Sequence, residues 1–267
     1  MAKTGKAPQG FYSATEAIKN LKVAKSTFYE MIEKGTIKKL VPPGRSDGYY
    51  LKAAIDNLVK ARELFTMQYA TDPPSFERAT EEDLKGLYDL TVSLWGTRTA
   101  APYEKRLARY QRNPNIYYVL KYLDVVVGYT AIIPMAKRAV EAIIETGIPG
   151  QATLDEILAF TPGTTIDYAF MEIAVRDEVP RPKQYAMHLI SGTSRILDEF
   201  ARGNVTIKNL FAISDTSDGI GISRKLGFEE KPLPPNGEMK AFVLNLETSK
   251  HPLILEYQKI VKGQRKL

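Results

Sequence analysis

The side chains with the clearest chemical use sit in one short stretch. Lys25, Ser26, Thr27 and Tyr29 open a segment in which Phe28, Met31 and Ile32 recur at helical spacing. A cation and short hydroxyls beside the positive end of a helix suit phosphate oxygens and base edges. Lys22 precedes this group, and Lys38, Lys39, Arg45 and Ser46 follow it. What the chain lacks narrows the remaining chemistry. It has no cysteine, so disulfides, thiolate zinc sites and cysteine nucleophiles are excluded. Its two histidines, His188 and His251, are far apart in sequence, and no metal is expected. A lone histidine on a helix, such as His188, is more often a packed or surface residue than a catalytic one.

These residues need elements to hold them. Ser13 followed by Glu16 is a capping box, which starts a first helix with Ala17, Ile18 and Leu21 on its apolar edge. Lys22-Val23-Ala24 turns the chain into the second helix, and Gly35 stops it. Ile37–Val41 and Tyr49–Leu51 read as two short strands around the turn cluster PPGRSDG, a hairpin with Arg45 near its tip. A third helix from Lys52 to about Phe65 closes the small core with Ile55, Leu58, Val59 and Leu64.

The charge is distributed unevenly. Residues 1–70 hold 10 Lys and 2 Arg against 6 acidic residues, and the remainder holds 25 of each sign, so the whole excess of +6 lies in the first quarter. A basic module gains affinity for phosphate polymers, with a salt-dependent component. Hydrophobic content of 44% with 25% charged residues fits a folded, water-exposed protein. The start MAKTGKAPQG lacks a signal-peptide core, and no stretch approaches the roughly 20 apolar residues of a membrane span, so a cytoplasmic protein with no membrane partner is expected.

Residues 71–75, with Pro73-Pro74, read as a linker between a domain at 1–70 and a second at 76–267. The second begins with a strand at 76–79 and two helices, one capped by Thr80 and running to about Trp95, the other spanning 102–112. Strands follow at 116–121 and 125–133, then an insert at about 135–164 that reads as two short helices, 135–146 and 154–160. A long strand follows at 165–175, then a helix from about Gln184 with Met187, Ile190, Ile196, Leu197 and Phe200 inward. A strand at 210–214, a helix at 218–226 and a strand at 240–246 complete the order, and the tail from Ser249 is read as frayed or as an interface helix.

The string EAIKNLKVAKSTFYEMIEKGTIKKL resembles the helix-turn-helix of MerR-type and excisionase-type DNA-binding domains. Glu16, Ala17, Leu21, Val23, Thr27, Ile32 and Gly35 carry the likeness; Ala24 stands where Ser is usual and Glu30 where Arg is usual. The resemblance implies a winged helix-turn-helix that contacts double-stranded DNA through Lys22, Lys25, Ser26, Thr27, Tyr29, Lys38, Lys39, Arg45 and Ser46, normally as a homodimer on two half-sites.

The order of elements after residue 76 resembles the GNAT N-acetyltransferase superfamily, and the ending KLGF at Lys225–Phe228 matches a motif of that family. The two resemblances together imply an α+β or α/β fold class: a small winged helix-turn-helix domain plus a mixed, mostly antiparallel sheet flanked by helices. MEIAV at 171–175 resembles the family's fourth strand, whose backbone holds the pantetheine arm of acetyl-CoA or another acyl-CoA. Ile173, Ala174 and Val175 are therefore the implied cofactor contacts, with Gln184, Tyr185 and Ala186 at the pyrophosphate loop. Glu172 matches a position where some members keep a general base. The glycines of the family's Q/R-x-x-G-x-G/A loop are missing: a frame from Gln184 puts Met187 and Leu189 there, and a frame from Arg181 puts Gln184 and Ala186 there. The family's general-acid tyrosine falls on Ser223, whose hydroxyl is far less acidic.

The leading expectation is a DNA-binding transcriptional regulator whose second domain senses a small-molecule effector, dimerises or docks a partner. The alternatives are an acetyl-CoA-dependent N-acetyltransferase with a DNA-binding head, and an excisionase-like accessory factor of a mobile element.

Overall fold

The computed structural model describes residues 7–69, 73–97, 100–122, 124–146, 153–231, 233 and 239–264. Part of the expected linker, Thr71 and Asp72, lies outside the described residues, as do the middle of the insert and the basic end Arg265-Lys266. Two compact units divide the chain, Met1–Thr71 and Asp72–Leu267.

The first unit starts with a two-residue strand β1 (Phe11–Tyr12) and helix α1 (Ala14–Leu21). The capping box forms: the Ser13 N–H donates to Glu16 Oε2 at 2.8 Å and the Glu16 N–H to Ser13 Oγ at 3.3 Å. Lys22 ends α1 in the left-handed region, φ 50°, and turns the chain into α2 (Lys25–Glu33). Strand β2 (Tyr50–Leu51) pairs with β1, and helix α3 (Lys52–Tyr69) follows, longer than its expected end at Phe65. Phe28 is fully buried and meets the Tyr50 ring edge-on at 4.9 Å, among Ala17, Leu21, Ile37 and Ile55. Burying such a ring contributes about 1.5–3 kcal/mol. The expected strand at 37–41 reduces to a single bridge, in which Leu40 and Tyr49 exchange both backbone hydrogen bonds at 2.9 and 2.8 Å. Pro42 and Pro43 lack the N–H groups that would extend the ladder.

The second unit is built on a seven-stranded mixed sheet flanked by helices. Its strands are β3 (Ser75–Arg78), β4 (Tyr117–Tyr122), β5 (Val125–Met135), β6 (Thr165–Val175), β7 (Thr206–Ser214), β8 (Glu229–Lys231) and β9 (Lys240–Asn245). Their spatial order is β3-β4-β5-β6-β7-β9-β8, and among the described strands only β6 and β7 run parallel. Helices α4 (Asp83–Trp95), α5 (Tyr103–Arg112) and α6 (Lys137–Thr146) contribute to the core on one face. Helices α7 (Pro182–Arg202), α8 (Ser217–Lys225) and α9 (Pro252–Gln264) contribute to the core on the other.

Several expectations are corrected. The second half of the insert is a single 3-10 turn, Leu154–Glu156, rather than a helix to Phe160. Its chain then runs extended beside β5, where β4 has ended: Leu158 N–H bonds Pro134 O at 2.9 Å and Ala136 N–H bonds Glu156 O at 2.8 Å. The insert packs on its own unit through Ala139, Val140, Ile143 and Ile157. Over its described residues the tail is a helix and not frayed. Ile254, Tyr257 and Val261 of α9 are buried, and the Tyr257 hydroxyl both accepts from Ile207 N–H (2.6 Å) and donates to Ile207 O (2.7 Å). Met187, expected inward, is 58% exposed: at helical spacing it lies off the face that buries Leu189, Thr193, Ile196 and Phe200.

Candidate functional site

The last five residues of β6 build the site. One edge of β6 is paired with β5 along its length, from Met135↔Tyr168 to Gly128↔Val175. The other edge pairs with β7 only as far as Phe170↔Phe211, although both strands continue. Arg176 N–H bonds Val127 O at 2.9 Å, which fixes the alternation of the ladder. Even-numbered residues from Phe170 to Ala174 therefore turn their backbone groups to β5. Met171, Ile173 and Val175 turn theirs toward β7, and beyond the Phe170↔Phe211 pair no strand partner answers Ile173 and Val175. The sheet is open along this edge.

Below the opening, Met171, Ile173, Ile190, Thr193, Leu210, Leu226, Phe228 and Leu244 line an open apolar cleft of about 30 Å³, room for roughly one water. Gly128 permits the close approach that holds this end of β6. A Cβ there would lie 2.9 Å from Ala174 O and 3.0 Å from Leu189 Cδ1.

On the opposite face Glu172 meets a buried polar cluster. Tyr129, fully buried, donates its hydroxyl to Glu172 Oε1. Arg106 Nη2 lies 3.6 Å from the same oxygen, and its guanidinium stacks 5.6 Å from the Tyr129 ring centre. Arg106 also donates to Thr91 Oγ1 at 3.2 Å and to Ala101 O at 3.3 Å. Burial alone would pull the Arg106 pKa down, but Tyr129, Glu172 and Tyr117 more than offset this and the net shift is upward. Burial, reinforced by the Glu172 charge, pushes Tyr129 well above the usual phenol range, so it stays a donor. Glu172 keeps Oε2 without a protein donor among the described residues, with 17% of its side chain exposed.

The expected cofactor residues are only partly brought together. Ile173 and Val175 offer backbone groups to the opening, whereas Ala174 is held by β5. Arg181, φ 60°, caps α7 and Pro182 is its first residue. The helix start coincides with the frame from Arg181, which has Gln184 and Ala186 in place of the glycines. Met187 is exposed and Leu189 is buried against Gly128, so neither fills the opening. The cradle is thin: Pro182 has no N–H, and the Gln184 N–H is taken by Arg181 O at 2.9 Å. Tyr185 is buried, which with Tyr122 nearby raises its pKa. Ser223 is buried on α8, and no hydrogen bond links it to Glu172 among the described residues. His188 is exposed on α7, and His251 Nδ1 accepts from Leu253 N–H at 3.3 Å at the start of α9.

In the first unit Lys22, Lys25, Ser26, Thr27, Tyr29, Lys38, Lys39, Arg45 and Ser46 are all exposed. Ala24 gives α2 no side-chain cap, which leaves N–H groups of its first turn without a side-chain acceptor. Arg45 is drawn back to the Tyr49 hydroxyl at 2.8 Å, and Lys39 Nζ to Ser46 O at 3.2 Å.

Arg106 and Arg109 were not among the expected site residues. A signal was present: Tyr103, Leu107 and Tyr110 mark the inner face of α5, and Arg106, three residues after Tyr103 and four before Tyr110, borders that face.

No family profile matches the chain, and no curated protein does. Similar solved structures exist. The loading GNATL domain of CurA from Lyngbya majuscula is 12% identical with a TM-score of 0.49, covering 67% of this chain and 100% of that one. The GphF GNAT-like decarboxylase in complex with isobutyryl-CoA is 17% identical with a TM-score of 0.47, covering 64% and 98%. The yncA putative acetyltransferase from Salmonella typhimurium, with acetyl-CoA, is 16% identical with a TM-score of 0.44, covering 68% and 98%. No helix among the described residues is long and apolar enough to cross a membrane, and none of their acidic or histidine groupings could hold a metal ion.

Proposed function

We propose that the second unit binds an acyl-CoA and transfers its acyl group to an amine. The observation that carries this reading is the opening between β6 and β7, with unanswered backbone groups at its edge and a carboxylate on the far face. Ile173 and Val175 would hold the amides of the pantetheine arm as a missing strand would, over the apolar floor of Met171 and Ile190. Lys183 and Arg181 supply the charge for the pyrophosphate in place of glycine N–H groups. The amine attacks the thioester carbonyl; a C–N bond forms and the C–S bond breaks. Glu172 Oε2 takes a proton from the nitrogen, and the leaving thiolate takes one from water. Calorimetry with acetyl-CoA tests the reading: binding is expected, and no heat at millimolar concentration overturns it.

A second reading concerns the first unit. We infer that it is a winged helix-turn-helix that binds double-stranded DNA, as a homodimer of the chain. Its support is the coincidence of an uncapped α2 start, an exposed Lys25-Ser26-Thr27 row and the whole excess charge of +6. An electrophoretic shift that falls steeply with salt is expected. A shift unchanged in Lys25→Ala/Arg45→Ala would sink it.

A further inference from the structure

We infer that Tyr129 is a positioning residue: its hydroxyl holds the Glu172 carboxylate by one oxygen and so leaves Oε2 for the reacting nitrogen. The inference rests on the acyl-transfer reading and adds a second side chain to it.

Glu172 needs such a hold. It lies on the stretch of β6 beyond its last pair with β7, and 17% of its side chain is exposed. A glutamate left to itself spreads over many rotamers. Arg106 does not supply the hold. Its Nη2 stands 3.6 Å from Oε1, beyond hydrogen-bonding distance, so it attracts the carboxylate without setting its direction.

Tyr129 supplies what Arg106 lacks. It stands on β5, the strand that stays paired with β6 to its end. The register Ala131↔Glu172 and Tyr129↔Ala174 puts Tyr129 diagonally opposite Glu172 on the same face, within reach of an aromatic side chain. A tyrosine has only two torsions to settle, and packing settles both here. The ring is fully buried in the core, and the Arg106 guanidinium lies over it at 5.6 Å. The neighbouring residue, Gly128, is the point of close contact with the end of β6, so ring and carboxylate share one frame. The hydroxyl donates to Oε1 and thereby selects which oxygen of Glu172 is engaged.

The test uses the full chain. Acetyl-CoA binding is measured by calorimetry, and coenzyme A release from acetyl-CoA is followed with a panel of small primary amines. Tyr129→Phe removes one oxygen and keeps the ring. It should lower kcat about 10–100-fold and leave KM for acetyl-CoA within about threefold. Because Tyr129 acts through Glu172, the two losses should not add. In a Glu172→Gln background Tyr129→Phe should change kcat by less than about twofold, whereas a merely structural role multiplies the two effects. Glu172→Asp covers a Tyr129→Phe protein that does not fold. It keeps the charge but draws the carboxylate back from the hydroxyl, and should lose at least about 10-fold in kcat. Tyr118→Phe deletes a buried phenol oxygen on the opposite face and should leave kcat unchanged. Wild-type kcat in Tyr129→Phe or Glu172→Asp, losses that multiply, or an equal loss in Tyr118→Phe overturns the inference while acyl transfer stands. If acetyl-CoA does not bind, or no amine releases coenzyme A, the acyl-transfer reading itself fails and takes the role of Tyr129 with it.

Discussion

Replacing Glu172 by glutamine separates catalysis from packing, because the amide keeps the shape and still accepts from Tyr129 while the charge beside Arg106 is lost. Removing one partner of a fully buried pair costs about 3–5 kcal/mol. Glu172 is 17% exposed, and the 3.6 Å gap is already longer than a hydrogen bond, so screening reduces the cost to about 1–3 kcal/mol. In a unit of this size 1 kcal/mol moves Tm by about 2–4 °C, so a fall of about 2–12 °C is expected. The chemical effect is larger. A positioned proton acceptor is worth roughly 10²–10⁴-fold in rate. Coenzyme A release, followed well below Tm, should therefore drop by at least about 100-fold. Acetyl-CoA affinity should stay within about threefold, since the opening and its floor lie on the other face. A purely structural Glu172 predicts the melting shift with a nearly intact rate. A Glu172→Gln protein that transfers acyl groups at the wild-type rate refutes the assigned role.

Other perturbations test the framework around this site. Asp83 accepts from Thr80 N–H (2.8 Å), Thr80 Oγ1 (2.9 Å) and Lys121 Nζ (2.8 Å). Burial works to raise its pKa, but Lys121 and Thr80 outweigh it and the net shift is downward. A depressed carboxyl stabilises above its ordinary value of 3.8 and loses that contribution as pH falls through the folded value. Asp83→Asn should thus lower Tm at pH 7, with the difference shrinking toward zero in melts below about pH 3. Gly128→Ala places a methyl against Ala174 O, a backbone atom that cannot swing aside. It should cost about 1–3 kcal/mol, visible as a lower Tm, and weaken acetyl-CoA binding by displacing the end of β6. Phe28→Ala empties the centre of the first unit's core at about 3–5 kcal/mol, comparable to the whole stability of so small a unit. Loss of helical circular dichroism from that unit should follow.

What the sequence made legible was local. The Ser13/Glu16 box, the alternating strand 165–175 and the glycine stop after α8 are set by neighbouring residues, and each lies where local chemistry puts it. What it hid depended on distant partners. Residues 154–160 carry a helical pattern, but Ile157 and Leu158 are claimed by the vacant edge of β5 beside Pro134. The tail helix docks through Tyr257, whose hydroxyl bonds Ile207, 50 residues earlier. The loop frame could not be chosen from residue types, since both frames lack glycines, and the start of α7 at Pro182 follows from the backbone turn at Arg181. Of the site, Glu172 was visible on its strand. Arg106, Tyr129 and Tyr117 were not, because arginines in a polar helix read as solvated until the sheet beneath them is known.

The site's division of labour follows from the two-residue period of one strand. From Met171 to Val175, odd side chains Met171 and Ile173 form the apolar floor of the cleft, and the one acidic side chain, Glu172, points to the other face. The same alternation turns the backbone of the odd residues into the gap and that of the even residues to β5. Floor, edge and carboxylate are thereby fixed relative to one another within five residues, held by β5 and by the close contact at Gly128. A thioester lying along the edge would present its carbonyl at the level of Glu172 without passing the buried cluster. On the acyl-transfer proposal, this strand end would set the cofactor edge and the carboxylate within five residues of one another, beside the opening between β6 and β7.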